Sequence, residues 1–223
     1  MMDLFGVSPT FDDPIGMLRA CHRRIERAVN VLERVAEREQ NGTFDAEAGE
    51  ALRQTLYYFS TGVPRHAADE EQSLFPRLRQ HDPVAFRSLE ALTREHTEAD
   101  ATYRELADLA EELLRTGRFE TPEKSDRFRR LASMLGDLYR LHIRAEDEEL
   151  LPRAQADLSA EEMGHIGTEM AARRGIDWER QRRVVASLES RARRRRGPES
   201  LRDGGLTGAA GADLAHGRVR RQE

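Results

Sequence analysis

Apolar residues recur at spacings of three and four along four long segments, the period of a helix that turns one face to a core. The first segment opens with Asp12 and Asp13 before Pro14, a start signal, and its stripe reads Leu18, His22, Ile25, Val29, Leu32, Ala36. The second, from about 46 to 79, reads Leu52, Leu56, Phe59, Val63, His66, Glu70, Leu74. The third follows Pro83, reads Ala85, Leu89, Leu92, His96, Ala99, Tyr103, Leu106, Ala110, Leu113, and ends near Gly117. The fourth starts near Thr121 and Pro122, reads Phe128, Leu131, Leu135, Leu138, His142, Glu146, and has Pro152 just past its end. Short loops join these segments, so neighbours run antiparallel, and the pattern predicts an all-α, up-down-up-down four-helix bundle. Pro64 removes a backbone donor and predicts a kink or restart two residues before His66. Beyond the bundle, Ser159-x-x-Glu162 and the Met163, Ile166, Met170 stripe predict a fifth, shorter helix, and a sixth around 178–194 frays into an arginine run.

Composition agrees with this reading and adds boundaries. The 223 residues suffice for one sizeable domain with extensions, and 6% aromatics with abundant Ala, Leu, Glu and Arg favour helix over sheet. We divide the chain into an N-terminal extension (1–11), the bundle (12–155), C-terminal helices (156–195) and a tail (196–223). From Ser190 onward nine Arg face four Asp and Glu, so this end carries +5 of a net charge of −5. Rich in Gly and poor in large apolar side chains, residues 196–223 are expected to be a disordered basic tail. No apolar run approaches the roughly 18 residues of a membrane span, and the N-terminus lacks the layout of a signal peptide. Cys21 is the single cysteine, outside any CxxC pair, which fits a reducing compartment. A cytoplasmic protein is expected.

The polar members of the stripes carry the chemistry. The stretch "HAADEEQSLFPRL" (66–78) returns as "HIRAEDEELLPRA" (142–154), each copy placing His and Glu four residues apart on one helical face. Four of the seven histidines fall on an inward stripe, one per bundle helix, whereas His81, His165 and His216 do not and are expected in solvent. A core-facing histidine taken alone is more often a hydrogen-bonded core residue than a ligand. Two buried glutamates change that balance, because a buried carboxylate is costly unless paired or bound to a cation, and the stripes supply no Lys or Arg. His22, His66, Glu70, His96, His142 and Glu146 over-supply one ion, but suit two ions about 3.5–4 Å apart that share both carboxylates. Imidazole with carboxylate favours iron, manganese or zinc over copper(I), calcium or magnesium, and a closed structural zinc site would be rich in Cys.

These residues closely resemble the hemerythrin-like, or HHE cation-binding, domain. The resemblance covers about residues 12–155 and rests on one His on the first helix, His-x-x-x-Glu followed by Leu-Phe-Pro on the second, Glu-His in "REHTEAD" on the third, and His-x-x-x-Glu followed by Leu-Leu-Pro on the fourth. "MGHIGTEMAARR" is also similar to a segment that follows the domain in bacterial members. The resemblance implies a non-haem centre of two iron ions, bridged by oxygen or carboxylate, with Glu70 and Glu146 bridging and the four His terminal; manganese and zinc are the alternatives. Oxygen-carrying hemerythrins have a fifth His where this chain has Asp100, and their last carboxylate follows its histidine by five residues rather than the four of Glu146. The layout is closer to proteins that repair iron centres under nitrosative stress.

Glu26 and Asp100 each follow an inward histidine by four residues, so each either supports a ligand or lies on a solvated flank. Tyr103, one repeat beyond His96, lines the site or packs. Glu71, Glu148 and Glu149 are expected on the outer face. The run "RARRRRG" (191–197) lacks interleaved aromatics, so a solvated helix end is expected rather than nucleic-acid binding. Three functions stay open: a protein binding or sensing oxygen, nitric oxide or iron; an enzyme reducing nitric oxide or peroxide, or donating iron for cluster repair, with an unidentified redox partner; and a helical interaction module with a vestigial site.

Overall fold

Local chemistry sets the helix ends in the computed structural model, which describes residues 10–81 and 86–195. Helix α1 (Pro14–Gln40) starts with Pro at its first position, where a missing N–H costs nothing, and Asp13 caps it by accepting from the Gly16 amide. Asp45 does the same for α2 (Ala46–Asp69) through the Ala48 amide. Each such cap stabilises a helix by about 1 kcal/mol. Helices α3 (Phe75–His81), α4 (Phe86–Thr116), α5 (Pro122–Ala145) and α6 (Leu151–Asp157) follow, with α4 stopped at Gly117, whose φ of +76° suits glycine. Helix α7 (Ala160–Ala172) opens with the predicted capping box between Ser159 and Glu162, and α8 spans Trp178–Arg195.

Between α2 and α3, and again between α5 and α6, the ladder widens into a single π turn, Glu70–Leu74 and Glu146–Leu150. The Phe75 amide bonds the Glu70 carbonyl and the Leu151 amide the Glu146 carbonyl, five residues back. A proline follows each turn: Pro76 and Pro152 have no N–H for the carbonyls of Gln72 and Glu148, and the widened ladder accommodates that loss. Helix α2 runs on through Pro64 to Asp69, so the helix does not restart there and its ladder changes only at residue 70. The expected end of the fourth segment is corrected: the chain stays helical past Pro152 to Asp157.

Helices α1, α2, α4 and α5 form the bundle, and side-chain ties show neighbours running antiparallel. Arg38 near the end of α1 meets Asp45 at the start of α2 (2.6 Å). Lys124 at the start of α5 meets Glu112 near the end of α4 (2.8 Å), and the Tyr103 hydroxyl on α4 donates to the Leu56 carbonyl on α2 (3.0 Å). This is the all-α bundle the pattern predicts.

The apolar interior consists of two clusters rather than one. The first runs from Ile25 and Val29 through Leu52, Phe59, Leu106, Leu113 and Phe128 to Tyr139 and Ile143. The second joins Phe11, Leu18, Leu74, Phe75, Leu89, Leu92, Leu150 and Leu151 to Ile166 and Met170 of α7. Burying each such Leu or Phe contributes about 1.5–3 kcal/mol. The inward histidines occupy the layer between them: His22 lies between Leu18 and Ile25, and His96 between Leu92 and Ala99. Phe11 reaches the second cluster because α7 carries Gly167 beneath it. A Cβ there would sit 1.8 Å from the Phe11 carbonyl oxygen, so only glycine permits the crossing.

The chain divides into two units, Met1–Gln181 and Arg182–Glu223. Described residues of the second are the helical 182–195, which expose Val184, Val185 and Leu188. The tail expected to be disordered, together with His216 and Pro83, lies outside the described residues. Among the described residues no helix is long and apolar enough to cross a membrane.

Candidate metal centre

Four helices and two π turns deliver six side chains to one buried point. His22 comes from α1, His66 from the last turn of α2, His96 from α4 and His142 from the last turn of α5, while Glu70 and Glu146 open the two π turns. His22, His66, His142 and both glutamates are buried, the glutamates completely, and the His96 side chain retains 10% exposure. Two overlapping groups form, His22–His66–Glu70–Glu146 and Glu70–His96–His142–Glu146, each with its ligand atoms within 4.8 Å of one another. Both glutamates belong to both groups, which makes them the shared pair.

The separations are those of groups facing a common centre. His22 Nε2 lies 3.1 Å from Glu146 Oε2 and 3.7 Å from Glu70 Oε1; His66 Nε2 is 3.4 Å from Glu70 Oε1, His96 Nε2 is 3.3 Å from Glu70 Oε2, and His142 Nε2 is 3.3 Å from Glu146 Oε1. None of these has hydrogen-bond geometry. Among the described residues, every buried side-chain nitrogen or oxygen without a hydrogen-bond partner belongs to these six residues. Buried polar atoms are satisfied in folded proteins almost without exception, so the eight orphaned atoms that face one point, His66 Nδ1 being the ninth and on the outer side, define a cation site. The donor set of imidazole and carboxylate fits iron, manganese or zinc.

The outer ring nitrogens are held by carboxylates from neighbouring helices. His22 Nδ1 donates to Asp147 (3.0 Å), His96 Nδ1 to Glu71 (2.8 Å) and His142 Nδ1 to Glu95 (2.7 Å). A proton on Nδ1 leaves the lone pair on Nε2, facing inward, and makes the ring a better donor. His66 Nδ1 meets no acceptor among the described residues. Each of the three carboxylates stands next in sequence to a member of the cluster and serves a histidine from another helix. Glu71, expected on the outer face, is one of them; Glu95 entered only as the Glu of the Glu-His pair in the family resemblance, and Asp147 was not singled out from the sequence. Adjacency of an acid to an inward ligand was the signal available.

The other candidates do not join the six. Glu26 is exposed on α1. Asp100 is half-exposed and pairs with Arg104 (2.5 Å). Tyr103 stacks on Phe59 at 5.1 Å. Glu148 and Glu149 are exposed, as expected, and so is His165. His81 ends α3 and pairs with Glu162 (2.8 Å).

Without a cation the cluster holds protons. Burial disfavours the charged imidazoles, but Glu146 and Glu70 outweigh it and push His22 up to about 11. Burial likewise opposes the charge on His96, yet Glu70 and Glu71 bring it up to about 9. His142 is raised by Glu146 against its burial, whereas burial lowers fully enclosed His66. Burial works against both glutamate anions, and the surrounding histidines nevertheless hold Glu70 and Glu146 below the usual carboxylate range.

A groove of about 440 Å³ between α2 and α4 reaches the cluster from outside. Phe59, Val63, Tyr103 and Tyr139 form its apolar wall, and Glu71, His96 and Asp100 its polar one.

A four-helix bundle with a buried, partnerless cluster of four imidazoles and two carboxylates defines a metal-binding bundle protein. The chain belongs to the hemerythrin family: the hemerythrin HHE cation-binding domain matches residues 13–154. It is also similar to a Haemophilus influenzae protein described only as uncharacterized, with 28% identity over 167 residues covering 75% of this chain and 93% of that one.

Proposed function

We propose that this chain is a di-iron protein that binds or senses a small uncharged diatomic, oxygen or nitric oxide. The observation that carries this reading is the confinement of all buried unpartnered side-chain atoms, among the described residues, to the six inward ligands. His22, His66, His96 and His142 would serve as terminal ligands and Glu70 and Glu146 as the shared pair. A vestigial cluster in an interaction module would have to bury two carboxylates against protonated imidazoles with none of these inward atoms in hydrogen-bond geometry, a costly arrangement. Two iron ions supply one-electron redox change and coordination positions for small ligands.

The chain's own residues do the rest. Asp147, Glu71 and Glu95 keep three imidazoles oriented with Nε2 inward. The apolar clusters on either side keep bulk water sparse and favour uncharged diatomics over large substrates. The groove over His96 gives such a molecule an approach, and position 100, a histidine in oxygen-carrying hemerythrins, here holds an Asp turned to Arg104. That departure favours the type that repairs iron centres, and with it a second reading: an enzyme that reduces nitric oxide or peroxide, or donates iron for cluster repair, with a separate electron donor. We place the protein in the cytoplasm.

Iron-loaded protein tests the proposal. Oxidised protein should change its visible absorption on adding azide, and reduced protein on adding oxygen or nitric oxide; silence in every case would mean a closed structural site. Steady turnover of nitric oxide or peroxide with an artificial electron donor would select the enzymatic reading.

A further inference from the structure

Asp69, the residue before Glu70, is completely buried and lies outside the cluster. Two arginines at the end of α7 close on it: Arg173 Nη1 donates to Oδ1 at 2.8 Å, while Arg174 donates from Nη2 to Oδ2 at 2.7 Å and from Nη1 to Oδ1 at 3.2 Å. Arg173 Nη2 also reaches the Ser73 hydroxyl at 2.5 Å, so the same clamp grips both ends of the first π turn. Arg77, just past that turn, donates to the Ser73 carbonyl (2.8 Å) and pairs with Glu169 of α7 at 2.7 and 3.1 Å. Paired, charge-assisted guanidinium bonds to a desolvated carboxylate fix geometry as well as energy.

The second copy of the repeat lacks this device. Ala145 stands where Asp69 does and Glu149 where Ser73 does, so that turn offers no carboxylate at the clamped position. Its corresponding face is an open hollow of about 230 Å³, lined by Ala145, Glu149, Leu150 and Arg153 with Ala91, Leu92 and Glu95. The helix outside the bundle therefore restrains one shared carboxylate and not the other.

We propose that Asp69 is a positioning residue: clamped by Arg173 and Arg174, it holds the first π turn so that Glu70 stays between His22, His66 and His96. A π turn has a poorer ladder than an α-helix and is free to revert by one residue, which would swing Glu70 out of the cluster. The clamp removes that freedom, and metal affinity thereby depends on α7. The inference rests on the metal-binding reading.

Cobalt(II), whose visible absorption reports ligand geometry, is the probe. In full-length protein, Asp69→Asn and the double variant Arg173→Gln, Arg174→Gln should each weaken cobalt binding about 10-fold or more in competition with a chelator, the scale seen when groups supporting a ligand are lost. Both should alter the cobalt spectrum. The change to lysine at 173 and 174 should recover part of the affinity. Arg127→Gln, which removes the α4–α5 surface tie to Glu105 away from the π turn, should leave spectrum and affinity alone. Wild-type affinity and spectrum in both Asp69→Asn and the double glutamine variant would overturn the clamp, as would an equal change in Arg127→Gln. Wild-type protein that takes up no cobalt would instead defeat the metal-binding reading, and the clamp with it.

Discussion

Three histidines of the cluster owe their orientation to acids that stand one residue from a ligand. Glu95→Ala and Asp147→Ala should each cost 10–100-fold in metal affinity, read by chelator competition, because the imidazoles of His142 and His22 lose the acceptor that fixes their tautomer. The six inward residues were legible because each sits on an apolar stripe that fixes its direction. Glu71, Glu95 and Asp147 were not, since which histidine each meets depends on the register between helices, which no single stripe encodes. Asp100 was legible as a departure from its relatives, and its partner Arg104 was not. Protonation adds a dependence on pH. Folding raises His22 to about 11 and His96 to about 9 from an ordinary 6.5, so in metal-free protein their stabilisation is full below about pH 6.5. It is lost as pH rises through 9 and then 11. Metal uptake at pH 7 must expel those protons, so affinity should rise between pH 6 and pH 8, and weakly buffered titrations should record proton release. Affinity that is flat across this range would contradict the raised values.

Among the elements, the two π turns do most to place chemistry. Each begins with a shared glutamate and ends before a proline, and the repeated "LFP" and "LLP" were visible in the sequence as a repeat. Their meaning was not, because a proline after an amphipathic stretch reads equally as the end of a helix. Pro64 misled in part: it does not restart the helix, since α2 runs through it to Asp69. Helix α7 was legible from its capping box, and its role as a cover was not, since Gly167 looks like any helical glycine until Phe11 is laid over it. Gly167→Ala should force that crossing apart and destabilise the fold by about 1–3 kcal/mol, the scale of an overpacked core. A melting temperature equal to wild type would mean that Phe11 does not cross there.

At the scale of the molecule, the bundle is two apolar clusters joined through a layer of charge. Such a layer contributes little cohesion by itself, so a cation there is folding energy as well as chemistry. Chelation should lower the melting temperature while leaving most of the helical signal in circular dichroism. A chain stopped at Arg195 should keep its metal, because all six inward residues lie before Leu151; loss of metal on that truncation would give the tail a part in the site. The fold class followed from periodicity alone, whereas the split of the core into two clusters required knowing where the polar layer falls across four helices at once. The central claim is that this layer holds two ions. Quantitative metal analysis of protein expressed with supplementary iron should find close to two metal ions per chain, iron dominant; a stoichiometry near zero would contradict it.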